Sequence, residues 1–191
     1  MEATITKNFT LQEPIQKVWA GLSNPVQISE CVPGATITEE VDDKNYKGEV
    51  SLKFGPVKSK YAGKITITEM DNENYKMTLN GLGLDSKGKG SAEMTMYGTA
   101  YTTPEGTEVD FKMIVNIKGT LAQFGSRLIN DVSAQLMGQF VDNFKAMLAE
   151  QEFDNTLDAG SMAGSVFKVF LQRVADFFRN LFGGKKKATA K

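Results

Sequence analysis

The sequence contains no histidine and a single cysteine, Cys31. Without histidine the chain lacks the commonest general base and the commonest metal ligand, so a Ser-His-Asp triad, a Cys-His dyad and any histidine-bearing zinc site are excluded. One cysteine excludes a disulfide framework and is typical of a reducing compartment. These absences argue against an enzyme and against tight binding of a transition metal.

The sequence also lacks a long hydrophobic run and a recognisable secretion signal. No segment approaches the ~20 apolar residues that cross a bilayer. The first residues carry no basic region followed by an apolar stretch. We therefore expect a cytoplasmic protein whose association with a membrane is peripheral, on the inner face of the cell membrane.

The charges are unevenly distributed along the chain. Residues 1–160 contain 15 basic and 22 acidic residues, a net charge of −7. Residues 161–191 contain 7 basic residues and 1 acidic residue, a net charge of +6. The acidic body is unsuited to nucleic acid, whereas the basic tail suits an anionic surface such as lipid headgroups, nucleic acid or an acidic protein.

Residues 3–11 and 35–117 alternate between apolar and polar side chains. This period of two predicts one strand and then six or so more, half-buried and antiparallel, joined by hairpins. Between them, helical spacing predicts two short helices, over 15–22 and 26–31, which Asn24-Pro25 separates.

The hydrophobic period changes at residue 121. Apolar residues then recur every three or four positions as far as Leu148, which predicts one amphipathic helix of about 28 residues. No other predicted element is long enough to cover a curved sheet. The fold class is therefore predicted to be α+β, with a curved antiparallel sheet wrapped around a long helix.

Four sequence blocks carry a resemblance to a known family. In chain order they are Cys31-Val32-Pro33-Gly34-Ala35, then Tyr46-x-Gly48-x-Val50-x-Leu52-x-Phe54-Gly55-Pro56, then Gly81-x-Gly83-x-Asp85-x-Lys87-Gly88-x-Gly90-Ser91-Ala92, then Gly119-Thr120-Leu121-Ala122-Gln123-Phe124-Gly125-x-Arg127-Leu128-Ile129. Together they resemble the CoxG family, the G-subunit family of carbon monoxide dehydrogenase, within the START-like (SRPBCC) superfamily. The resemblance covers residues 1 to about 150 and implies a helix-grip domain.

The resemblance also implies a function. It implies a non-catalytic accessory protein of a molybdenum-hydroxylase-type dehydrogenase, which helps to recruit that enzyme to the membrane. It implies a hydrophobic small molecule as ligand, with a respiratory quinone, menaquinone or ubiquinone, as the leading candidate. One alternative is an assembly or adaptor protein whose tail binds the dehydrogenase. Another is an enzyme acting on a hydrophobic substrate, which the missing histidine disfavours.

The inward-facing apolar residues are the predicted lining of a cavity between sheet and helix. Met and aromatic side chains suit adaptable apolar pockets, although the same side chains also fill ordinary cores. Glycines in or beside the strands mark either bending of the sheet or close approach of a ligand. The predicted pocket residues are Tyr61, Met77, Met94, Met96, Phe111 and Met113 on strands, and Leu128, Val132, Leu136 and Phe140 on the helix.

Two further segments follow the domain at residues 1–150. Residues 151–165 are rich in Asp, Asn, Gly and Ser, which predicts a flexible linker. In residues 166–191, an amphipathic helix with a basic end is predicted to lie in an anionic membrane interface, docking on a partner protein being the alternative. The predicted membrane-binding residues are Phe167, Phe170, Leu171, Val174, Phe177, Phe178, Leu181, Phe182, Lys185, Lys186 and Lys187.

Overall fold

The computed structural model describes residues 1–54 and 57–151 of the 191-residue chain. The strands are β1 (Glu2–Leu11), β2 (Ala35–Glu40), β3 (Asn45–Phe54), β4 (Val57–Asp71), β5 (Lys76–Asp85), β6 (Gly90–Thr103) and β7 (Gly106–Gly119). The helices are α1 (Ile15–Leu22), α2 (Pro25–Cys31) and α3 (Gly125–Leu148), and a short 3-10 helix (Thr120–Phe124) precedes α3.

The seven strands form one antiparallel sheet in the order β1-β7-β6-β5-β4-β3-β2. Successive strands from β2 to β7 pair as hairpins, and β1 pairs with the last strand, with Glu2 opposite Asn116 and Leu11 opposite Thr107. The register shifts between Ile37 and Glu39 and between Ile67 and Glu69. Such bulges increase the local twist and bend the strand. The predicted fold class, a curved antiparallel sheet with a long helix, is confirmed.

The two short helices begin where the sequence supplies helix-starting residues. Pro14 precedes α1 with an extended backbone, and its carbonyl oxygen accepts hydrogen bonds from the N–H groups of Lys17 and Val18. Asn24 caps α2, because its side-chain oxygen accepts hydrogen bonds from the N–H groups of Val26 and Gln27. Proline at the first position of a helix costs no hydrogen bond, so Pro25 fits where it stands.

The long helix begins later than predicted. The sequence pattern indicated a helix from residue 121, but Thr120–Phe124 form a 3-10 helix and α3 has 24 residues. Gly119 has φ 88° and Gly125 has φ 78°, a backbone conformation that glycine adopts without steric cost. The chain therefore turns at both ends of the 3-10 segment, although the apolar spacing passes through it without a break.

The main core lies between the C-terminal half of α3, the helices α1 and α2, and one end of the sheet. Phe144 is fully buried and stacks on Phe140 at 5.9 Å between ring centroids, and Phe9 meets Phe140 edge-on at 6.5 Å. The buried Asn143 donates a hydrogen bond from Nδ2 to the carbonyl oxygen of Cys31, at 3.1 Å. The buried cluster comprises Phe9, Leu11, Ile15, Val18, Trp19, Cys31, Met77, Ala100, Val109, Val141, Phe144 and Leu148.

Cys31 belongs to this core. Its side chain is fully buried, and its Sγ lies 3.6 Å from the Sδ of Met147. Burial, with the charge of Glu30 as a smaller cause, raises the pKa of the Cys31 thiol to about 11. Because the thiolate is the reactive form, a thiol with a raised pKa is a poor nucleophile. The interpretation of Cys31 as a buried structural thiol is confirmed.

We predict that Phe144→Ala lowers the free energy of unfolding by about 3–5 kcal/mol, since it removes a fully buried ring and leaves a cavity. The matched control is Lys145→Ala, at the next, exposed position, which we expect to change the stability by less than about 0.5 kcal/mol. Urea unfolding monitored by circular dichroism measures both. Equal stabilities for the two variants would contradict this account of the core.

Candidate functional site

The strand register identifies the face of the sheet that turns toward α3. Phe9 on β1 is buried in the core and lies opposite Val109 on β7, and directly opposed residues point to the same side of a sheet. Following this face across the sheet, Met113 lies opposite Met96, and Met96 lies opposite Leu79. All six predicted pocket residues on strands, namely Tyr61, Met77, Met94, Met96, Phe111 and Met113, share this inner face.

Burial divides the ten predicted pocket residues into two groups. Tyr61, Met77 and Val132 are buried, at 8% exposure each. The half-buried residues are Met94, Met96, Phe111 and Met113 on the strands and Leu136 and Phe140 on α3. The side chain of Leu128 lies outside the described part of the structure. These apolar side chains face inward and retain accessible surface, which makes them available for contact with an apolar ligand.

Three of the predicted pocket residues also take part in the core. Met77 is a member of the buried cluster, and Met96 and Phe140 pack against it. The half-buried residues on the same face and outside this packing include Met94, Phe111 and Met113, together with Ile65, Leu79 and Val115, which sequence reasoning did not single out. The alternation of apolar and polar residues along their strands was the sequence signal that could have identified them. Met94 and Met113 therefore form the centre of the candidate site, whereas Met96 also packs against the core.

A row of small residues crosses the inner face beside these methionines. Gly48 lies opposite Gly63, Gly63 opposite Gly83, and Gly83 opposite Ala92. A Cβ atom added at Gly63 would overlap the carbonyl oxygen of Leu82, so glycine is needed there for the close approach of two strands. At Gly83 the nearest atom to such a Cβ would be the Cβ of Tyr61, at 3.4 Å, which is an ordinary contact. The side chain of Tyr61 therefore packs against the backbone at Gly83.

Tyr61 supplies a polar group at the edge of this apolar surface. It lies opposite Asp85 in the sheet, and its ring is buried. Burial, and secondarily the charge of Asp85, raises the pKa of the Tyr61 hydroxyl, which therefore stays protonated at neutral pH. A protonated phenol can donate one hydrogen bond to an acceptor on a ligand.

An open depression of ≈ 350 Å³ lies elsewhere, over β1, β7 and β6. Most of its lining belongs to the outer face and is polar or charged, for example Asn8, whose Nδ2 donates to Oδ1 of Asp110 at 2.8 Å. Phe111 is the one predicted pocket residue in its lining. This polar surface differs in character from the apolar inner face, and we do not assign the ligand to it.

Residues 1–54 and 57–151 contain neither a metal-binding cluster nor a membrane-spanning helix. Across these ranges, no three or more acidic or cysteine side chains are arranged to hold a metal ion. In the same part of the chain, no helix has the length and hydropathy that crossing a bilayer requires. Residues 152–165 of the predicted linker and the predicted membrane-binding residues, from Phe167 to Lys187, lie outside the described residues.

Solved structures place the architecture in a known class. A conserved protein from Geobacillus kaustophilus superposes with a TM-score of 0.68 at 21% identity, covering 78% of this chain and 96% of that one. A protein from Rhizobium leguminosarum gives a TM-score of 0.55 at 16% identity, covering 79% and 97%. The fold is that of the START-like helix-grip proteins.

The family follows from a comparison with family models. The model for CoxG, the G-subunit of carbon monoxide dehydrogenase, matches residues 8–149. The chain therefore belongs to the CoxG family, as its sequence blocks predicted. A search of the curated proteins gave no significant match.

The glycine row leads to a stability prediction. We expect Gly63→Ala to lower the free energy of unfolding by about 1–3 kcal/mol, because its methyl group collides with the backbone of β5. Gly83→Ala is the matched control, one strand away on the same face, and should be neutral or slightly stabilising, since Tyr61 leaves room for the methyl group. Chemical denaturation of both variants measures the difference. An equal loss of stability in both would contradict the distinction drawn here.

Proposed function

We propose that this protein is a non-catalytic accessory protein of a molybdenum-hydroxylase-type dehydrogenase that holds a hydrophobic ligand, a respiratory quinone, between its sheet and α3. The observation that carries the proposal is the set of half-buried apolar residues facing inward beside the glycine row. Flexible thioether side chains adapt to an apolar ligand at little cost. An accessory role is supported by the name of the family, which describes a component of carbon monoxide dehydrogenase.

Quinones combine an apolar ring and side chain with carbonyl oxygens that accept hydrogen bonds. The apolar inner face suits the first property, and the protonated hydroxyl of Tyr61 suits the second. The chain has no histidine to serve as a base. In this proposal redox chemistry belongs to the quinone and the partner dehydrogenase, and the protein supplies binding and orientation.

Attachment to the membrane is assigned to residues 166–191. Of the 17 residues from Val166 to Phe182, 10 are Val, Leu or Phe, and Lys185, Lys186 and Lys187 follow. An amphipathic helix with a basic cluster gives two signals for an anionic lipid surface. The tail would hold the quinone-binding domain at the lipid phase in which respiratory quinones dissolve.

Native mass spectrometry tests the ligand directly. The full chain, gently purified from quinone-replete cells, is expected to carry one isoprenoid quinone per chain. Protein that is uniformly empty would overturn the quinone proposal and favour an adaptor role, in which the tail binds the dehydrogenase and the cavity is incidental.

We predict that Met94→Lys weakens binding of a short-chain quinone by at least about tenfold, because it places a charge in an apolar space. The matched control is Thr95→Lys, the adjacent residue on the opposite face of β6, which should leave the affinity unchanged. Quenching of intrinsic fluorescence by the quinone measures affinity, and circular dichroism verifies folding. Unchanged affinity in folded Met94→Lys would remove Met94 from the site.

For the tail, we predict that the full chain sediments with phosphatidylglycerol vesicles at low salt and is partly released at high salt. Phe177→Asp combined with Phe178→Asp should release most of the chain even at low salt, because charge does not enter the acyl boundary. Gln172→Asp combined with Asn180→Asp adds the same charge at two positions that are already polar and should retain most of the binding. If both double variants behave like the natural chain, the tail is not a membrane anchor.

A further inference from the structure

The two ends of the sheet differ in charge. At one end lie the start of β4 and the β5–β6 connection, where Lys58, Lys87 and Lys89 are exposed. At the other end lie the β2–β3, β4–β5 and β6–β7 connections, which carry carboxylates. These are Asp42, Asp43, Asp71, Glu73 and Glu105. An acidic body therefore presents a concentrated basic surface at one end.

Two leucines are exposed among these lysines. Leu82 and Leu84, on the outer face of β5, are 39% and 59% exposed. The exposed Lys64 lies directly opposite Leu82 on β4, and Glu93 lies opposite Leu82 on β6, with its carboxylate 3.7 Å from the Nζ of Lys118. The β5–β6 turn adjoins β4, where the N–H of Ser86 donates to the carbonyl oxygen of Lys60 at 2.8 Å. We call the group Leu82, Leu84, Lys58, Lys64, Lys87 and Lys89 the lysine–leucine patch.

The turn that presents the patch is ordered. The carboxylate of Asp85 accepts hydrogen bonds from the N–H groups of Lys87, at 2.9 Å, and Lys89, at 3.2 Å. The carbonyl oxygen of Lys89 accepts a further bond from the N–H of Thr120, at 2.9 Å. The positions of these two lysines are therefore fixed by the backbone, and their side chains extend from a rigid turn.

We propose that the lysine–leucine patch is a second membrane-docking surface, one that inserts Leu82 and Leu84 among the lipids of an anionic bilayer while the lysines contact the headgroups. The proposal rests on the proposed function, because it gives the quinone-binding domain its own contact with the lipid phase. Lysine suits this role, since its apolar stem lies among the lipids while its ammonium group stays at the headgroups.

Charge and composition favour a bilayer over a protein partner. All the cations of the patch are lysines, which are depleted from protein–protein interfaces, where Arg and aromatic residues are enriched. Each Lys near an anionic membrane raises partitioning about fivefold. Neither Lys47, Lys60 nor Lys118 is counted in the patch, because each pairs with a nearby carboxylate.

The test places a fluorescent probe on the full chain by Leu84→Cys. The matched control is Tyr101→Cys, which is also on the outer face and is 47% exposed in the natural chain, but lies at the acidic end. Cys31 can remain, because it is fully buried and reacts slowly, and the unaltered chain measures its background labelling. Vesicles contain equal parts of phosphatidylglycerol and phosphatidylcholine, with a quencher attached to the lipid.

We expect the probe at position 84 to be quenched by bound vesicles and the probe at position 101 to be unaffected. A second experiment starts from the chain that carries Phe177→Asp and Phe178→Asp. Its residual partitioning into vesicles should fall by at least about 100-fold when Lys64, Lys87 and Lys89 are all replaced with Glu. The control variant replaces Lys17, Lys44 and Lys76 with Glu. These lysines are also exposed but lie outside the patch, so we expect a much smaller effect on partitioning at the same net charge.

Equal responses of the two probes on vesicles that bind the chain would overturn the docking surface and leave the proposed function standing. Quenching at position 84 in a chain that binds no quinone would support the patch and count against the proposed function. If reversing the patch lysines abolishes binding to the dehydrogenase but not to vesicles, the patch is a protein interface and the proposal is wrong.

Discussion

A single helix must bury the inner face of a seven-stranded sheet, and the rest of the structure depends on this constraint. Seven strands at about 4.8 Å spacing make a sheet about 29 Å wide, whereas one helix with its side chains is about 10–12 Å across. A flat sheet would leave much of its apolar face uncovered. The sheet therefore curves around α3, with bulges at Ile37/Glu39 and Ile67/Glu69 and with a glycine row where two strands approach closely.

Curvature does not remove the mismatch completely. The C-terminal half of α3 is anchored by Phe144, Val141 and Leu148 in the core with α1 and α2. Over the middle of the sheet, inward-facing methionines remain half-buried beside residues that have no side chain. The same constraint that shapes the fold thus leaves apolar side chains of the inner face only partly covered.

Much of the fold could be predicted from the sequence, because strand alternation and helical spacing are direct records of which side is buried. The start of α3 could not, since Gly119 and Gly125 change the backbone direction without interrupting the apolar spacing. The exposure of Leu82 and Leu84 also escaped prediction, because glycines occupy the inward positions of β5 at that point and the leucines take the outward ones. The sequence did not distinguish candidate pocket residues from core residues, since Met77 and Met94 have the same side chain and differ only in what packs against them.

The central claim is that a quinone lies against the inner face near Met94 and Met113. The most direct measurement is nuclear magnetic resonance of the full chain with labelled methionine methyl groups, titrated with a short-chain quinone. The account predicts intermolecular contacts from the quinone ring to the methyl groups of Met94 and Met113, and none to Met147, which packs against Cys31 in the core. Contacts confined to other methionines, or a spectrum that the quinone leaves unchanged, would contradict it.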